Sequence, residues 1–169
     1  AELERTAAEM PVEQALPLLT AIGTAFRGLG RPDDAELVWK RAMEMRPNDL
    51  GPRTMLFELA CDRMDAERVR SAAEEIAKLA GPRSPEGRLA EAASLVVQAK
   101  IARAKESGDR GGQADGPGES LPPEQDPQLV AAKNLLIEAE NDRPGWAQIQ
   151  QLFADVAILQ GDSATAIER

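Results

Sequence analysis

The segment GRPDDAELVWKRAMEMRPND, residues 30 to 49, sets Ala35, Trp39 and Ala42 on one helical stripe and closes the stripe with Pro47. Spacings of four and three residues bring the three side chains to the same face of an α-helix. One large ring between two alanines requires other helices to cross at close range, with the ring filling the gap that remains between them. Upstream, apolar residues recur at the same spacing from Val12 to Ala25. Between the two runs, RGLGRPDD supplies Gly28 and Gly30 to end one helix, then Pro32, Asp33 and Asp34 to start the next over residues 33 to 46. The acidic pair also suits the positive end of the second helix dipole. Two amphipathic helices joined by so short a turn form a hairpin, and neither hides its apolar face in the other alone. Their neighbours must therefore resemble them.

The rest of the chain carries such neighbours. A step of 34 residues takes Ile22, Gly23 and Phe26 to Leu56, Phe57 and Ala60, and takes Ala35, Trp39 and Ala42 to Val69, Ala73 and Ile76. Phe57 in place of Gly23, with Ala73 in place of Trp39, predicts an exchange of volume between facing helices. Further on, Ala132, Leu136, Ala139 and Pro144 repeat the offsets of Ala35, Trp39, Ala42 and Pro47. Phe153, Ala154, Ala157, Gly161 and Ala166 follow those of Ile22, Gly23, Phe26, Gly30 and Ala35. ERTAAEMP, near the start, resembles KRAMEMRP and reads as the second helix of an earlier unit. No alternating run of strand length is present and β-branched residues are sparse, so the fold class is all-α. With 3% aromatic residues against 43% hydrophobic, the core must be built of small aliphatic side chains.

Leu19, Ile22, Gly23 and Phe26, followed by Ala35, Trp39, Ala42 and Pro47, resemble the tetratricopeptide repeat pattern W-x2-L-G-x2-Y, A-x3-F and a closing Pro, with Leu19 for the Trp and Phe26 for the Tyr. The resemblance covers nearly the whole chain and implies a right-handed α-solenoid of antiparallel helix pairs. Residues 1–11 are then the end of a preceding repeat, 16–49 a full repeat, 50–83 a degenerate one, 84–144 a repeat with an insertion, and 145–169 a truncated one. Starting at Ala1 and ending at Arg169 within a helical pattern, the sequence reads as a segment of a longer chain.

The third repeat is too long. Gly81 to Pro144 spans 63 residues, about 29 more than one repeat needs. SGDRGGQADGPGESLPPEQDP, residues 107–127, supplies most of the excess with only Ala114 and Leu121 apolar. Such a stretch buries too little surface to offset its ordering entropy, which predicts a flexible insertion between two helices. The remaining excess lengthens the preceding helix, from about Pro85 to Glu106.

Composition then removes function classes. Without histidine or tyrosine the chain holds no histidine general base, no Ser/His/Asp triad and no histidine-ligated zinc. No phosphate-cradling glycine motif occurs, and in DRGGQADGPGE Gly111 and Gln113 stand where the ligands of an acidic calcium loop alternate. Cys61, the one cysteine, reads as an apolar-like helix residue. A formal net charge of -9 repels nucleic-acid phosphates and anionic membranes, and the longest weakly polar run, near Leu89, is too short to span a bilayer. No cofactor, metal or catalytic residue is expected. The basic stretch KIARAK, residues 100 to 105, reads as a solvated helix face, as do the acidic neighbours Glu74 and Glu75.

A surface remains. The family resemblance implies that stacked first helices line a concave wall and that ligand contacts come from positions beside their packing residues. In this sequence those positions are Thr20, Thr24 and Arg27, then Thr54, Glu58, Cys61 and Asp62, and finally Gln151, Asp155 and Ile158. Chaperone-tail-binding members use lysine and asparagine there. Threonines and acids instead point to a protein or peptide with basic and apolar side chains. The expected function is non-catalytic protein binding or scaffolding; the alternatives are the regulatory or scaffolding arm of a larger enzyme or assembly, and self-association through exposed solenoid ends.

Overall fold

The computed structural model describes residues 11–109 and 126–161, with 106–109 described in backbone alone. Among them are seven helices and no strand: α1 (Val12–Gly28), α2 (Pro32–Met45), α3 (Leu50–Asp62), α4 (Ala66–Ala80), α5 (Pro85–Asp109), α6 (Pro127–Asp142) and α7 (Ala147–Gln160). The chain is therefore all-α, and its helices fall into two compact units divided between Arg63 and Met64. That boundary lies inside the stretch 50–83 that sequence spacing sets as one repeat. The expected preceding repeat end, most of the insertion at 107–127 and most of the truncated repeat's second helix lie outside the described residues.

In the first unit α1 and α2 form the hairpin that the turn chemistry requires. Gly30 takes the left-handed φ of 70° that a β-carbon resists, and the Arg31 N–H donates back to the Phe26 carbonyl at 2.9 Å. Ala15, Leu16, Leu19, Val38 and Ala42 form the hairpin core, and α3 packs across α2. Between all three helices lies Trp39. It is fully buried, shares a cluster with Ala35 and Leu59, and lies against the backbone of Gly23, where only the missing β-carbon leaves it room. Its indole N–H donates to the Thr20 carbonyl at 3.3 Å. At the far end of α3, Arg63 reaches back to Asp33 (2.5 Å) and Glu36 (2.6 Å) on α2.

In the second unit α5 is central. It packs against α4 and α6, and α7 packs against both α5 and α6. One stripe of α5, Leu89, Ala92, Val96 and Ala99, enters a core with Leu129, Leu136, Ile149 and Phe153. Ala90, Ala93 and Val97, on another side of the same helix, are buried as well, as befits a helix with apolar residues most of the way round. α5 runs to Asp109, three residues into the stretch expected as loop, because the Ala- and Lys-rich run before it favours continued helix. Ser84 starts this helix. Its hydroxyl accepts the Gly87 N–H at 3.0 Å while donating to the Gly81 carbonyl at 2.7 Å. Ser84→Ala is expected to cost about 1 kcal/mol through loss of the cap, read as a lowered midpoint in urea unfolding followed by circular dichroism.

Helices α5, α6 and α7 repeat the packing order of α1, α2 and α3. Leu16, Leu19, Ile22 and Gly23 correspond to Leu89, Ala92, Leu95 and Val96, a shift of 73 residues. Trp39 corresponds to Leu136, and Leu59 with Ala60 to Val156 with Ala157, a shift of 97; each of these is buried. An ion pair marks the same register in both units. Arg46 beyond the end of α2 meets Glu13 at the start of α1 (3.5 Å), and Arg143 beyond α6 meets Glu86 at the start of α5 (3.2 Å). The two shifts differ by 24, so that many extra residues stand between α5 and α6 relative to α1 and α2.

Candidate partner-binding groove

The site is built from α1 and the start of α3. Near the end of α1, Arg27 donates Nη1–H to Glu58 Oε2 (2.7 Å) and Nη2–H to Asp62 Oδ2 (2.6 Å), both near the end of α3. The helices thus run side by side in the same direction. Towards their starts an open groove of about 590 Å³ lies between Leu16, Pro17, Thr20, Ala21 and Thr24 on one wall and Asp49, Gly51 and Pro52 on the other.

Local structure makes these walls more apolar than their sequence reads. A helical threonine satisfies its hydroxyl on the carbonyl four residues back. Thr20 donates to Leu16 (2.9 Å) and Thr24 to Thr20 (3.0 Å), and on α3 Thr54 donates to Leu50 (2.9 Å). Asp49, the one charged residue in the lining, caps α3 by accepting the Gly51 N–H at 2.8 Å. The Thr20 carbonyl that accepts the Trp39 indole ties this wall to the hydrophobic core.

The charges beside the groove are balanced internally. Partial burial pulls the Arg27 guanidinium pKa down, but its hydrogen bond to Glu58 and the charge of Asp62 outweigh that and hold it above its ordinary value. In the second unit Lys100 on α5 meets Asp155 on α7 at 2.9 Å. Arg103 on α5 donates to the Leu159 carbonyl at the end of α7. The KIARAK stretch is therefore not simply a solvated face: Lys100 and Arg103 join α5 to α7, while Lys105 is exposed.

Of the ten face residues expected from sequence, Thr20 and Thr24 line the groove, and Arg27, Glu58 and Asp62 come together beside it. Thr54 and Cys61 are half-buried on α3 outside the groove lining. Gln151, Asp155 and Ile158 belong to the second unit; Gln151 and Ile158 are exposed, and Asp155 is engaged by Lys100. Sequence reasoning missed Leu16, Pro17, Ala21, Asp49, Gly51 and Pro52. The readable signal was Asp49 two residues before Gly51 and three before Pro52, a helix start whose cap brings small residues to the groove edge.

Among the described residues no group of three histidine, cysteine, aspartate or glutamate side chains is placed to hold a metal ion, and no helix is long and apolar enough to cross a membrane. No family model, no curated protein and no solved structure matches the chain.

Proposed function

We propose that the chain is a tetratricopeptide-like segment of a right-handed α-solenoid, acting as a non-catalytic interaction module that holds a peptide or protein partner in the groove between α1 and α3. The observation that carries this reading is the groove itself. It is open, walled by Leu16, Pro17, Ala21 and Pro52, and its threonine hydroxyls are already bonded to their own helix. An apolar side chain entering it desolvates no unsatisfied donor. Asp49 in the lining and the exposed Asp62 beside it, on a chain of net charge -9, favour basic groups flanking that side chain.

The test is selection of 12-residue peptides of basic and apolar composition, displayed on phage, against the whole 169-residue chain. Selected peptides are then titrated against Ala21→Trp, which fills the groove from an exposed position. Binding is expected to weaken by about tenfold or more, the scale of a lost central contact. Equal affinity for the variant and the native chain would place the peptides elsewhere and remove the groove as the site.

A further inference from the structure

We infer that Arg27 with Glu58, and Lys100 with Asp155, are two copies of one electrostatic latch that sets the angle between the outer helices of each three-helix arrangement and loosens as ionic strength rises. The latch stands whether or not the groove takes a partner. Arg27 corresponds to Lys100 under the shift of 73 residues that relates α1 to α5. Glu58 corresponds to Asp155 under the shift of 97 that relates α3 to α7. Two different sequence offsets thus return the same pair of charges at the same place, at 2.7 Å in one unit and 2.9 Å in the other. The exposures agree as well: 33% and 29% for Arg27 and Glu58, 34% and 29% for Lys100 and Asp155.

The packing shows what such a pair controls. α2 is held to α1 by the hairpin core and to α3 by the Trp39 cluster. α1 reaches that cluster through Phe26 alone, and the Arg27–Glu58 pair closes the rest of the side between α1 and α3. Lys100 with Asp155 joins α5 to α7 at the corresponding place, where α7 also packs directly on α5. Each unit adds a contact of its own one turn further on: Asp62 accepts from Arg27 in the first, and the carbonyl of its counterpart Leu159 accepts from Arg103 in the second. The side-chain ion pair is what the two units share. A pair about one-third exposed still feels the ionic atmosphere, so salt weakens it without touching the apolar contacts.

The test uses the whole chain carrying Cys61→Ala, with spin labels at Thr24→Cys on α1 and Thr54→Cys on α3. Pulsed dipolar spectroscopy should give one narrow distance distribution at about 0.01 M salt, with a longer-distance fraction growing about two- to fivefold at about 1 M, where the screening length falls to about 3 Å. Arg27→Gln should produce the same component at low salt, Asp62→Asn a smaller one, and the exchange Arg27→Glu with Glu58→Arg should remove it. Labels at Ala102→Cys and Gln151→Cys should respond to Lys100→Gln in the same direction but less, because α7 also packs directly on α5. Distributions that ignore both salt and Arg27→Gln at unchanged helical circular dichroism would overturn the latch. Should Arg27→Gln unfold the chain, the salt series on the otherwise native sequence still decides.

Discussion

Trp39→Ala is expected to destabilise the first unit by about 3–5 kcal/mol, a large share of the about 5–15 kcal/mol that holds a domain together. The size follows from what the ring touches. A fully buried indole removes about 200 Å² from water, and at about 25 cal/mol per Å² that is about 5 kcal/mol before the cost of any cavity left behind. The backbone of Gly23 is helical on one side of the ring and cannot collapse inward, while Leu59 on α3 has no other large side chain of α2 in its cluster. Loss of the ring therefore also removes the main apolar contact between α3 and α2, leaving Ala35 and the Arg63 ion pairs to join them. Urea unfolding followed by circular dichroism should show a markedly lower midpoint. Trp146, partly buried against the core of the second unit, keeps a fluorescent reporter in the variant. An unchanged midpoint would mean that Trp39 does not join the three helices.

Much of this arrangement was legible in the sequence because small-residue helices advertise their contacts. Ala35, Trp39 and Ala42 announce a close crossing, and Gly30 with Pro32 announces the turn; the structure has both. The all-helical class followed from the same periodicity. The ion pairs were not legible. Arg27 and Glu58 are 31 residues apart, on faces that a helical wheel reads as solvent, and only the placement of α3 beside α1 turns two surface charges into partners. Lys100 and Asp155 were further obscured by the added residues between α5 and α6, which break the 34-residue step. The register of α5 was hidden for a different reason. With alanine or valine on several sides, its sequence offers more than one equally apolar stripe, and only the burial of Ala92, Leu95, Val96 and Ala99 against α6 and α7 selects one. Of the groove's eight lining residues only Thr20 and Thr24 were among the expected positions, because Pro17, Ala21 and Pro52 carry no chemistry that marks a face.

Gly23→Val should be destabilising by about 2 kcal/mol or more, even though glycine in a helix interior is itself unfavourable by about 1 kcal/mol relative to alanine. Geometry reverses the usual sign. A β-carbon at position 23 would stand 2.3 Å from Trp39 Nε1 and 2.6 Å from Cε2, and the fully buried indole can move aside only by displacing its neighbours. Moving the ring would also break its hydrogen bond to the Thr20 carbonyl. The second unit already contains the compensated version of this change, with Val96 at the position of Gly23 and Leu136 at that of Trp39, both fully buried in one core. Volume lost from the second helix is returned by the first. Gly23→Val combined with Trp39→Leu should therefore be more stable than Gly23→Val alone, with a coupling energy of about 1–3 kcal/mol between the two sites. Four urea titrations, on the native chain, both single variants and the double, measure that coupling. Simple additivity would show that the glycine and the tryptophan are not one packing unit, and that the correspondence between Gly23–Trp39 and Val96–Leu136 is one of position without shared volume.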